Sequence, residues 1–517
     1  MMVDCGCNLV HSRSVPCGIA FTILVAALQK IRQIPWDPHL TKVFGNHVMS
    51  FTRRGFLSAS AALAATPLLS RAAQAAVPRE ADIVVIGAGA AGIAAARRIM
   101  AANRKVLLLE ASAQIGGRCS TDLTTFGVPF DRGARWLFSA DSNPIGKLAR
   151  GVGLDVAAAP VGQKIRVGRR NARPGETEQF LAGLVRANRA LDEAARGKLD
   201  TSCAAALPKD LGDWTNTTAF VLGPSATGKD LADLSVMDKA RAQDRNAPLA
   251  CRQGLGTLLG KLGEGLPVSL STPASRIVWS NREVAVETPA GRIATRAVIL
   301  TVSTNVLTSG AIKFAPELPK RQLDAAAKLG LGSTDHIALM LSGNPLGLSR
   351  DEVIVEQSNS NRTGLLLANI GGSSLCTIDV AGSFGRGLSA QGEAAMTAFG
   401  KEWIGKLFGS EAAAAVKSAA ATRWNQVPGV LGAMSAAAPG NQGARKILGE
   451  PLGPLYLAGE ATHETLWGTV DGAWESGERA AEAALRRIGA LKDPEPEQAN
   501  ERQRGRRRKV RSASPED

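Results

Sequence analysis

The chain has 517 residues and a mass of 53.8 kDa, which is long enough for two folded domains. Its formal charge is +15, but residues 1–75 carry +5 and residues 490–517 carry +2, which leaves about +8 on the rest. A modest positive balance offers no long-range steering to polycations and favours neutral or anionic small molecules. The 7 cysteines form no CxxC pair, which argues against a metal site or a dithiol redox centre.

The N-terminal region predicts an export signal. Thr52-Arg53-Arg54-Gly55-Phe56-Leu57 is a twin-arginine motif, followed by the apolar stretch 58–69 and by Ala73-Gln74-Ala75, a suitable cleavage site. Residues 1–75 are therefore interpreted as a leader, with Met49 as the hypothetical true start. The twin-arginine export machinery would deliver an already folded protein to the periplasm. A membrane anchor is the alternative, although the apolar stretch is short for the ~20 residues of a span.

The first chemical motif is a strand, a glycine loop, a helix, a second strand and an acid in succession. The strands are Ile83 to Ile86 and Val106 to Leu109, and the helix is Ala90 to Met100. Glu110 ends the second strand about 20 residues after the glycines, where a carboxylate takes the ribose hydroxyls and would repel a ribose phosphate. The motif predicts a dinucleotide site whose remaining contacts are Gly87, Gly89, Ala91 and Gly92.

The next segment narrows the choice of dinucleotide. In Ile115-Gly116-Gly117-Arg118 the glycines allow close backbone approach, and Arg118 adds a bidentate grip on the same pyrophosphate. Here the chain resembles the flavin amine oxidase family of monoamine and polyamine oxidases, L-amino-acid oxidases and histone lysine demethylases. The resemblance continues through Asp131 to Trp136, Gln253 to Leu258, Val268 to Leu307 and Trp424.

The resemblance implies a bound FAD and a set of contacts to it. It is poorest between Val152 and Ala250, and it is more specific for the superfamily than for any one member. Covalent attachment is not expected, because the cysteine that anchors flavin in monoamine oxidases is missing. Besides the glycine loop, Glu110, Gly117 and Arg118, the implied contacts in the middle of the chain are Arg135, Trp136, Ala274 and Trp424.

The C-terminal segment looks like the other end of the same site. Leu455 to Ala458 is a strand-like run, and Gly468 to Ala473 opens the last long helix. A helix N-terminus beside the pyrimidine edge of the flavin would stabilise the anionic reduced ring. The family uses this segment in that way, and the resemblance therefore implies the cofactor contacts Gly459, Glu460, Thr469 and Val470.

The catalytic centre departs from the family pattern. Family oxidases usually carry a lysine that holds a water near flavin N5, and alignment of the turn Gly330 to Asp335 places His336 there. His336 is the candidate catalytic residue, as a water holder or as a base near neutral pH. The alternative is a histidine packed at a domain seam. The aromatic cage also differs, because Thr469 stands where many members have an aromatic, and Trp467 and Met434 are the candidate substrate-lining residues.

These observations predict an α/β fold class. A Rossmann-like FAD-binding domain is expected from the discontinuous segments 77–150, 251–312 and 424–489. Segments 151–250 and 313–423 are expected to form a mixed α+β substrate domain, and residues 490–517 a disordered basic tail without nucleic-acid binding. Neither a metal nor a stable membrane span is expected. Gly223 to Asp230 resembles a P-loop but has Asp where Ser or Thr should be, so it is interpreted as an ordinary loop.

The predicted function is oxidation of an amine or amino acid by a periplasmic FAD-dependent oxidoreductase. Hydride transfer to flavin N5 would be followed by reoxidation with oxygen, giving hydrogen peroxide. A flavin dehydrogenase or desaturase, acting on a non-amine substrate and passing electrons to a periplasmic carrier, is the first alternative. A catalytically degenerate flavoprotein scaffold that binds a partner is the second. The sequence does not name the substrate.

Overall fold

The computed structural model describes residues 77–138, 143–159, 163–242 and 248–492. The expected leader, with its twin-arginine motif and Met49, and residues 493–517 of the expected tail lie outside the described residues. Within the described ranges, no helix is long and apolar enough to cross a membrane. The same ranges contain no cluster of histidine, cysteine and acidic side chains that could hold a metal ion. The cysteines there are buried and free: Cys119, Cys203, Cys251 and Cys376.

The strands belong to several sheets and are numbered along the chain. They are β1 (Ile83–Ile86), β2 (Val106–Leu109), β3 (Thr121–Asp122), β4 (Phe130–Asp131), β5 (Val156–Ala158), β6 (Gln163–Val167), β7 (Arg170–Asn171), β8 (Leu249–Cys251), β9 (Val268–Ser269), β10 (Arg276–Trp279), β11 (Val284–Thr288), β12 (Gly291–Thr295), β13 (Ala297–Leu300), β14 (Lys313–Ala315), β15 (Thr334–Leu341), β16 (Glu352–Glu356), β17 (Leu365–Ala368), β18 (Leu375–Ala381), β19 (Val416–Ala421) and β20 (Leu455–Leu457).

The α-helices lie between these strands and after the last of them. They are α1 (Ala90–Ala101), α2 (Pro144–Gly151), α3 (Pro174–Ala195), α4 (Cys203–Ala206), α5 (Thr215–Phe220), α6 (Val236–Ala240), α7 (Leu255–Leu262), α8 (Thr304–Thr308), α9 (Lys320–Lys328), α10 (Gly382–Ala390), α11 (Glu393–Phe408), α12 (Ser410–Ala414), α13 (Ala444–Leu448) and α14 (Val470–Arg487).

A five-stranded parallel sheet with the order β20-β13-β1-β2-β9 forms the centre of the fold. Its strands are continuous apolar runs because helices or a second sheet cover both faces. Along β1, Val84 and Ile86 point into one core cluster, and Ile83 and Val85 point into another. The predicted strands and the helix after the glycine loop are confirmed almost to the residue, and the α/β fold class is confirmed.

Two further sheets complete the architecture. A four-stranded sheet, β12-β11-β10-β14, packs beside the parallel sheet, and a seven-stranded sheet has the order β19-β15-β18-β17-β16-β6-β7. The strands of the seven-stranded sheet fall within the segments expected to form the substrate domain. Pairing of β14 with β10 places Lys313–Ala315 on the four-stranded sheet, just beyond the expected boundary at residue 312. The domain boundaries as a whole stay a prediction.

The first and last long helices pack against each other through small residues. A Cβ on Gly477 of α14 would lie 2.1 Å from the carbonyl oxygen of Ala91 in α1. Alanines line the rest of this contact, among them Ala95 and Ala481, and both are fully buried. Such close packing brings the start of α14 beside the glycine loop that precedes α1.

Candidate functional site

The glycine loop between β1 and α1 leaves no room for side chains. A Cβ on Gly92 would lie 1.8 Å from the carbonyl oxygen of Gly87, and one on Gly87 would lie 2.5 Å from Thr301 Oγ1. Gly87 also has φ +101, a conformation that disfavours other residues. Thr301 Oγ1 lies 2.9 Å from both the Ile86 and the Gly87 carbonyl oxygens, which share its one proton, and this contact ties the loop to the end of β13.

The N-terminus of α1 has features of an anion-binding site. Gly89 caps the helix without a side-chain hydrogen bond, and the first turn contains no acidic residue. The second glycine pair lies against it, because Gly116 N donates to the Ala88 carbonyl at 2.8 Å and Gly117 is exposed beside Gly89. An uncapped helix N-terminus flanked by glycine backbone fits the pyrophosphate of a dinucleotide. Ala91 differs from the other predicted contacts here, since it is buried against α14.

Glu110 lies where the motif predicts, and it also holds the loop. Its Oε2 accepts the Ala88 N–H at 2.7 Å, and its Oε1 accepts the Ser112 N–H at 2.8 Å. A carboxylate has about four acceptor positions, so positions remain for ribose hydroxyls. The sequence pattern did not indicate the contact with Ala88.

An ion pair joins this end of the site to the C-terminal segment. Arg118 Nη1 donates to Glu460 Oε1 at 2.8 Å and to the Ala433 carbonyl at 2.6 Å. Protein groups thus engage Nη1 of Arg118, and the bidentate grip of Arg118 on the pyrophosphate stays a prediction. Burial works to raise the pKa of Glu460, but Arg118 and Arg445 outweigh it and hold that pKa below its usual range.

The remaining C-terminal residues lie around the start of α14. Thr469 caps the helix, since its Oγ1 accepts the Gly472 N–H at 3.0 Å, and Val470 is the first helical residue. Gly459 has φ +127, and its N–H donates to Ser476 Oγ at 2.8 Å. Gly468 N donates to Glu460 Oε2 at 2.9 Å, so the loop before α14 is held by the same carboxylate that holds Arg118.

His336 belongs to a tight cluster of charged groups. It is 6% exposed, and its Nδ1 lies 2.6 Å from Asp379 Oδ1 while its Nε2 lies 2.9 Å from the Gly133 carbonyl oxygen. Arg135 Nη2 donates to the same Asp379 oxygen at 2.8 Å, and Arg135 Nη1 donates to Thr377 Oγ1 at 2.9 Å. Asp379 is therefore shared by a guanidinium and an imidazole.

This geometry bears on the predicted role of His336. Nε2 faces the Gly133 carbonyl oxygen, and Nδ1 lies 2.6 Å from both Asp379 Oδ1 and Arg135 Nη2. Protein groups therefore engage both ring nitrogens, which leaves neither nitrogen open to hold a water or to take a proton from a substrate. Burial works to raise the pKa of Asp379, but Arg135 and His336 hold it below its usual range. The cluster fixes the chain segment of Gly133 against β15 and β18, which is a positioning role.

Trp424 and its neighbours complete the central part of the site. Trp424 Nε1 donates to the Arg132 carbonyl at 2.7 Å, and its backbone N–H donates to Asp335 Oδ1 at 2.8 Å. Trp136 is half-buried in the segment that follows Gly133. Ala274 is a buried member of the core beside the parallel sheet. Of the predicted contacts in the central segments, Arg135 and Trp424 thus lie against β15.

The two candidate substrate-lining residues differ in position. Trp467 is 1% exposed, its ring lies 4.6 Å from the Arg445 guanidinium, and its Nε1 donates to the Asp238 carbonyl. A side chain with no accessible face gives no support to the interpretation of Trp467 as a pocket wall. Met434 is half-buried, and its carbonyl accepts the Gly332 N–H at 2.9 Å beside the turn that leads to His336.

Lys229 is a residue that the sequence analysis passed over. The segment interpreted as a loop begins with a π-helical turn, Val221–Ser225, so that interpretation was wrong for its first residues. Lys229 Nζ donates to the Ala436 carbonyl at 2.7 Å, two residues from Met434. Burial lowers the pKa of Lys229 to about 8.

Replacement of Asp379 by Asn tests the charged cluster. The variant leaves Arg135 and His336 without a counter-charge, and we expect the free energy of unfolding at pH 7 to fall by about 2 kcal/mol. The folded-state pKa of Asp379 is below its unfolded value of about 4, so its contribution is present above that pH and is lost as the pH falls through the folded pKa. The difference between the two proteins should therefore shrink below about pH 4.

Denaturant unfolding at several pH values measures this difference. Asp155→Asn is the matched control, because Asp155 pairs with Arg252 on the surface, where its side chain is 49% exposed. A surface pair contributes about 0–1 kcal/mol, so the control should change little. Equal stability of Asp379→Asn and the parent protein at pH 7 would contradict the account of the cluster.

Comparison with known proteins agrees with this site. The family model described as flavin containing amine oxidoreductase matches residues 90–242 and 230–485. Human lysine-specific histone demethylase 2 is 27% identical over 77% of this chain, and the chain spans about half of it, 53%. Polyamine oxidase 5 of Oryza sativa subsp. japonica is 28% identical over 79% of this chain and 88% of its own length.

Solved structures share the fold. Cyclohexylamine oxidase from Brevibacterium oxydans IH-35A superposes with a TM-score of 0.67, covering 79% of this chain and 99% of its own at 18% identity. Putrescine oxidase bound to putrescine gives the same TM-score, coverage and identity. The family match extends over most of the chain, from the start of α1 into α14. The chain belongs to the flavin-containing amine oxidoreductase family.

Proposed function

We propose that this protein oxidises a small amine or amino acid with non-covalently bound FAD. The observation that carries the proposal is the convergence of the uncapped α1 N-terminus, Glu110 and the Arg118–Glu460 pair on one site. Sequence relatives in the family include polyamine oxidase 5 of rice. Two proteins that share the fold, cyclohexylamine oxidase and putrescine oxidase, are named for the small amines that they oxidise.

The chain contributes binding and orientation. FAD, when bound, would take a hydride equivalent from the carbon beside the amine nitrogen and pass the electrons to oxygen, giving hydrogen peroxide. The backbone N–H groups of Gly89 to Gly92 and of Gly117 would hold the pyrophosphate, and Glu110 would hold the ribose. Thr469 and Val470 would present the N-terminus of α14 to the flavin ring, where the positive end of the helix favours negative charge.

The amine must be neutral when it is oxidised, so proton handling is part of the proposal. His336 has both nitrogens engaged by Asp379 and Gly133, and it would act by positioning these groups. Lys229 lies next to the segment of Met434 and, with a pKa lowered to about 8 by burial, could accept the proton of a substrate ammonium. In this proposal, the positioning residue and the proton acceptor are separate residues, His336 and Lys229. Relatives that have a lysine at the position of His336 differ in this respect.

The protein is proposed to work in the periplasm after export by the twin-arginine machinery. Support comes from the motif Thr52 to Leu57 and from the apolar stretch that follows it. The electron acceptor there would be oxygen or a periplasmic carrier. A flavin dehydrogenase or desaturase that acts on a non-amine substrate is the second candidate function, favoured by the absence of the family lysine at His336.

Anaerobic reduction of the bound flavin tests the reaction class. The protein from about Ala76, loaded with FAD, should lose its absorbance near 450 nm with at least one member of a panel of amines and amino acids. Alcohols with the same carbon skeletons, which lack the nitrogen, are the matched controls and should leave the absorbance unchanged. Reduction by alcohols alone, or by no compound of the panel, would contradict amine oxidation. Peroxide assay in air then separates an oxidase from a dehydrogenase.

Replacement of His336 by Asn tests whether the imidazole is a base. Asn can still donate to Asp379 from a position near that of Nδ1, but it cannot accept a proton. A positioning role predicts that anaerobic flavin reduction slows by less than about tenfold and keeps its pH profile. Loss of general-base catalysis would slow it by about 10²–10⁴-fold and remove one limb of the profile, which would contradict this account. His336→Leu, which removes both hydrogen bonds, is the comparison.

A further inference from the structure

A second ion pair lies fully buried behind the cofactor segment. Arg445 of α13 is 1% exposed and Asp238 of α6 is 0% exposed. Two parallel hydrogen bonds of 2.7 Å join them, from Nε to Oδ1 and from Nη2 to Oδ2. Ala437 N donates to Asp238 Oδ2 at 2.9 Å, and the Trp467 ring covers the guanidinium. A buried pair of this kind is weak evidence for stability alone, because desolvation offsets the attraction.

The remaining nitrogen of Arg445 points toward the cofactor segment. Its Nη1 donates to Ser435 Oγ at 2.9 Å and to the Ala461 carbonyl at 3.3 Å. Ser435 Oγ lies 2.6 Å from Glu460 Oε2. A hydroxyl has one proton, and the guanidinium can only donate, so the Ser435 proton must go to Glu460. The guanidinium therefore fixes the direction of the hydrogen bond that Glu460 receives.

Both carboxylate oxygens of Glu460 therefore accept hydrogen bonds. Oε1 accepts Arg118 Nη1 at 2.8 Å and Ser435 N at 3.1 Å, and Oε2 accepts Ser435 Oγ and, at 2.9 Å, Gly468 N. A carboxylate bonded in this way has no freedom to turn. The chain Asp238–Arg445–Ser435–Glu460–Arg118 joins α6 to the glycine pair that precedes Arg118.

We propose that the Asp238–Arg445 pair is a positioning device for Glu460, which acts through Ser435 and sets how tightly the chain binds flavin. The inference rests on the proposed placement of Glu460 beside the cofactor. It makes cofactor affinity depend on Asp238, which lies on α6, far from Glu460 along the chain. Arg445 also contributes, after Arg118, to holding the pKa of Glu460 below its usual range against the effect of burial.

Titration of the apoprotein with FAD tests the proposal, with flavin fluorescence as the readout and thermal unfolding of the apoprotein as a second measurement. Ser435→Ala removes the bridge and leaves the Asp238–Arg445 pair in place, and Asp238→Asn removes the charge of the pair. Each should weaken FAD binding by about tenfold or more. Ser435→Thr keeps the hydroxyl and should bind FAD within about threefold of the parent protein.

Glu356→Gln is the control for a merely structural effect. Glu356 on β16 is 1% exposed and accepts Trp403 Nε1 and Lys406 Nζ at 2.7 Å each, within the core of the seven-stranded sheet. This variant should lower the melting temperature of the apoprotein as Asp238→Asn does, yet leave FAD affinity within about twofold. Parent-like FAD affinity of Ser435→Ala, or an equal loss in Glu356→Gln, would overturn the proposal.

The experiments distinguish failure of the proposed amine oxidation from failure of the proposed role of the Asp238–Arg445 pair. Unchanged FAD affinity in Ser435→Ala removes the positioning role even if amines reduce the parent protein. Failure of all amines to reduce the parent protein would overturn the proposed reaction, while the FAD titrations would still decide the role of the pair. If Asp238→Asn does not fold, Ser435→Ala with Ser435→Thr gives the answer, because Ser435 is small and its replacement leaves both charges in place.

Discussion

The carboxylate of Glu460 joins the segment after the glycine loop to the C-terminal segment of the fold. It receives hydrogen bonds from Arg118, from Ser435 and from the backbone of Gly468. Arg118 is more than 300 residues before Ser435 and Gly468. A single buried charge therefore holds together segments that are far apart along the chain. The glycine at position 477 permits close contact of α14 with Ala91 of α1, and the first residues of the two helices, Ala90 and Val470, belong to one core cluster.

Two buried carboxylates of this protein, Asp379 and Glu460, are each shared by more than one partner. Asp379 is shared by Arg135 and His336, and Glu460 lies between Arg118 and the hydroxyl that Arg445 orients. A low-dielectric interior penalises an unpaired charge, which makes these arrangements rigid. Rigid groups are suited to hold a cofactor at a fixed distance from a substrate. The same rigidity makes His336 a poor candidate for a group that must exchange protons with solvent.

Local sequence patterns predicted the parts of the site that depend on backbone shape. The run from Ile83 to Ile86, the glycine spacing and Glu110 are local features, and the structure has them where the patterns placed them. The partners of His336 could not be predicted in this way. Asp379 reaches His336 through the antiparallel pairing of β15 with β18, and neither strand carries a signal of that register. Resemblance supplied the position of His336 but not its surroundings.

The same limit applies to the pair behind Glu460. Asp238 and Arg445 belong to short helices, α6 and α13, with no shared motif, and they meet only because the intervening chain folds back. The aromatic ring of Trp467, next to a cofactor motif, suggested a pocket wall, and its packing on Arg445 is a tertiary contact that the motif does not indicate. The role of a charged or aromatic residue can be predicted when its partners are near it in the sequence. The prediction is poor when the partners reach the residue only through the tertiary fold.

The central claim is that the flavin held by the glycine loop lies beside the N-terminus of α14. The midpoint potential of bound FAD in Thr469→Asp, compared with Thr469→Asn, tests it most directly. Both residues cap helices well, so the stability of α14 should be kept, but only Asp adds a negative charge. The account predicts a more negative potential in Thr469→Asp, because the added charge opposes the anionic reduced ring. Equal potentials in the two variants would contradict it.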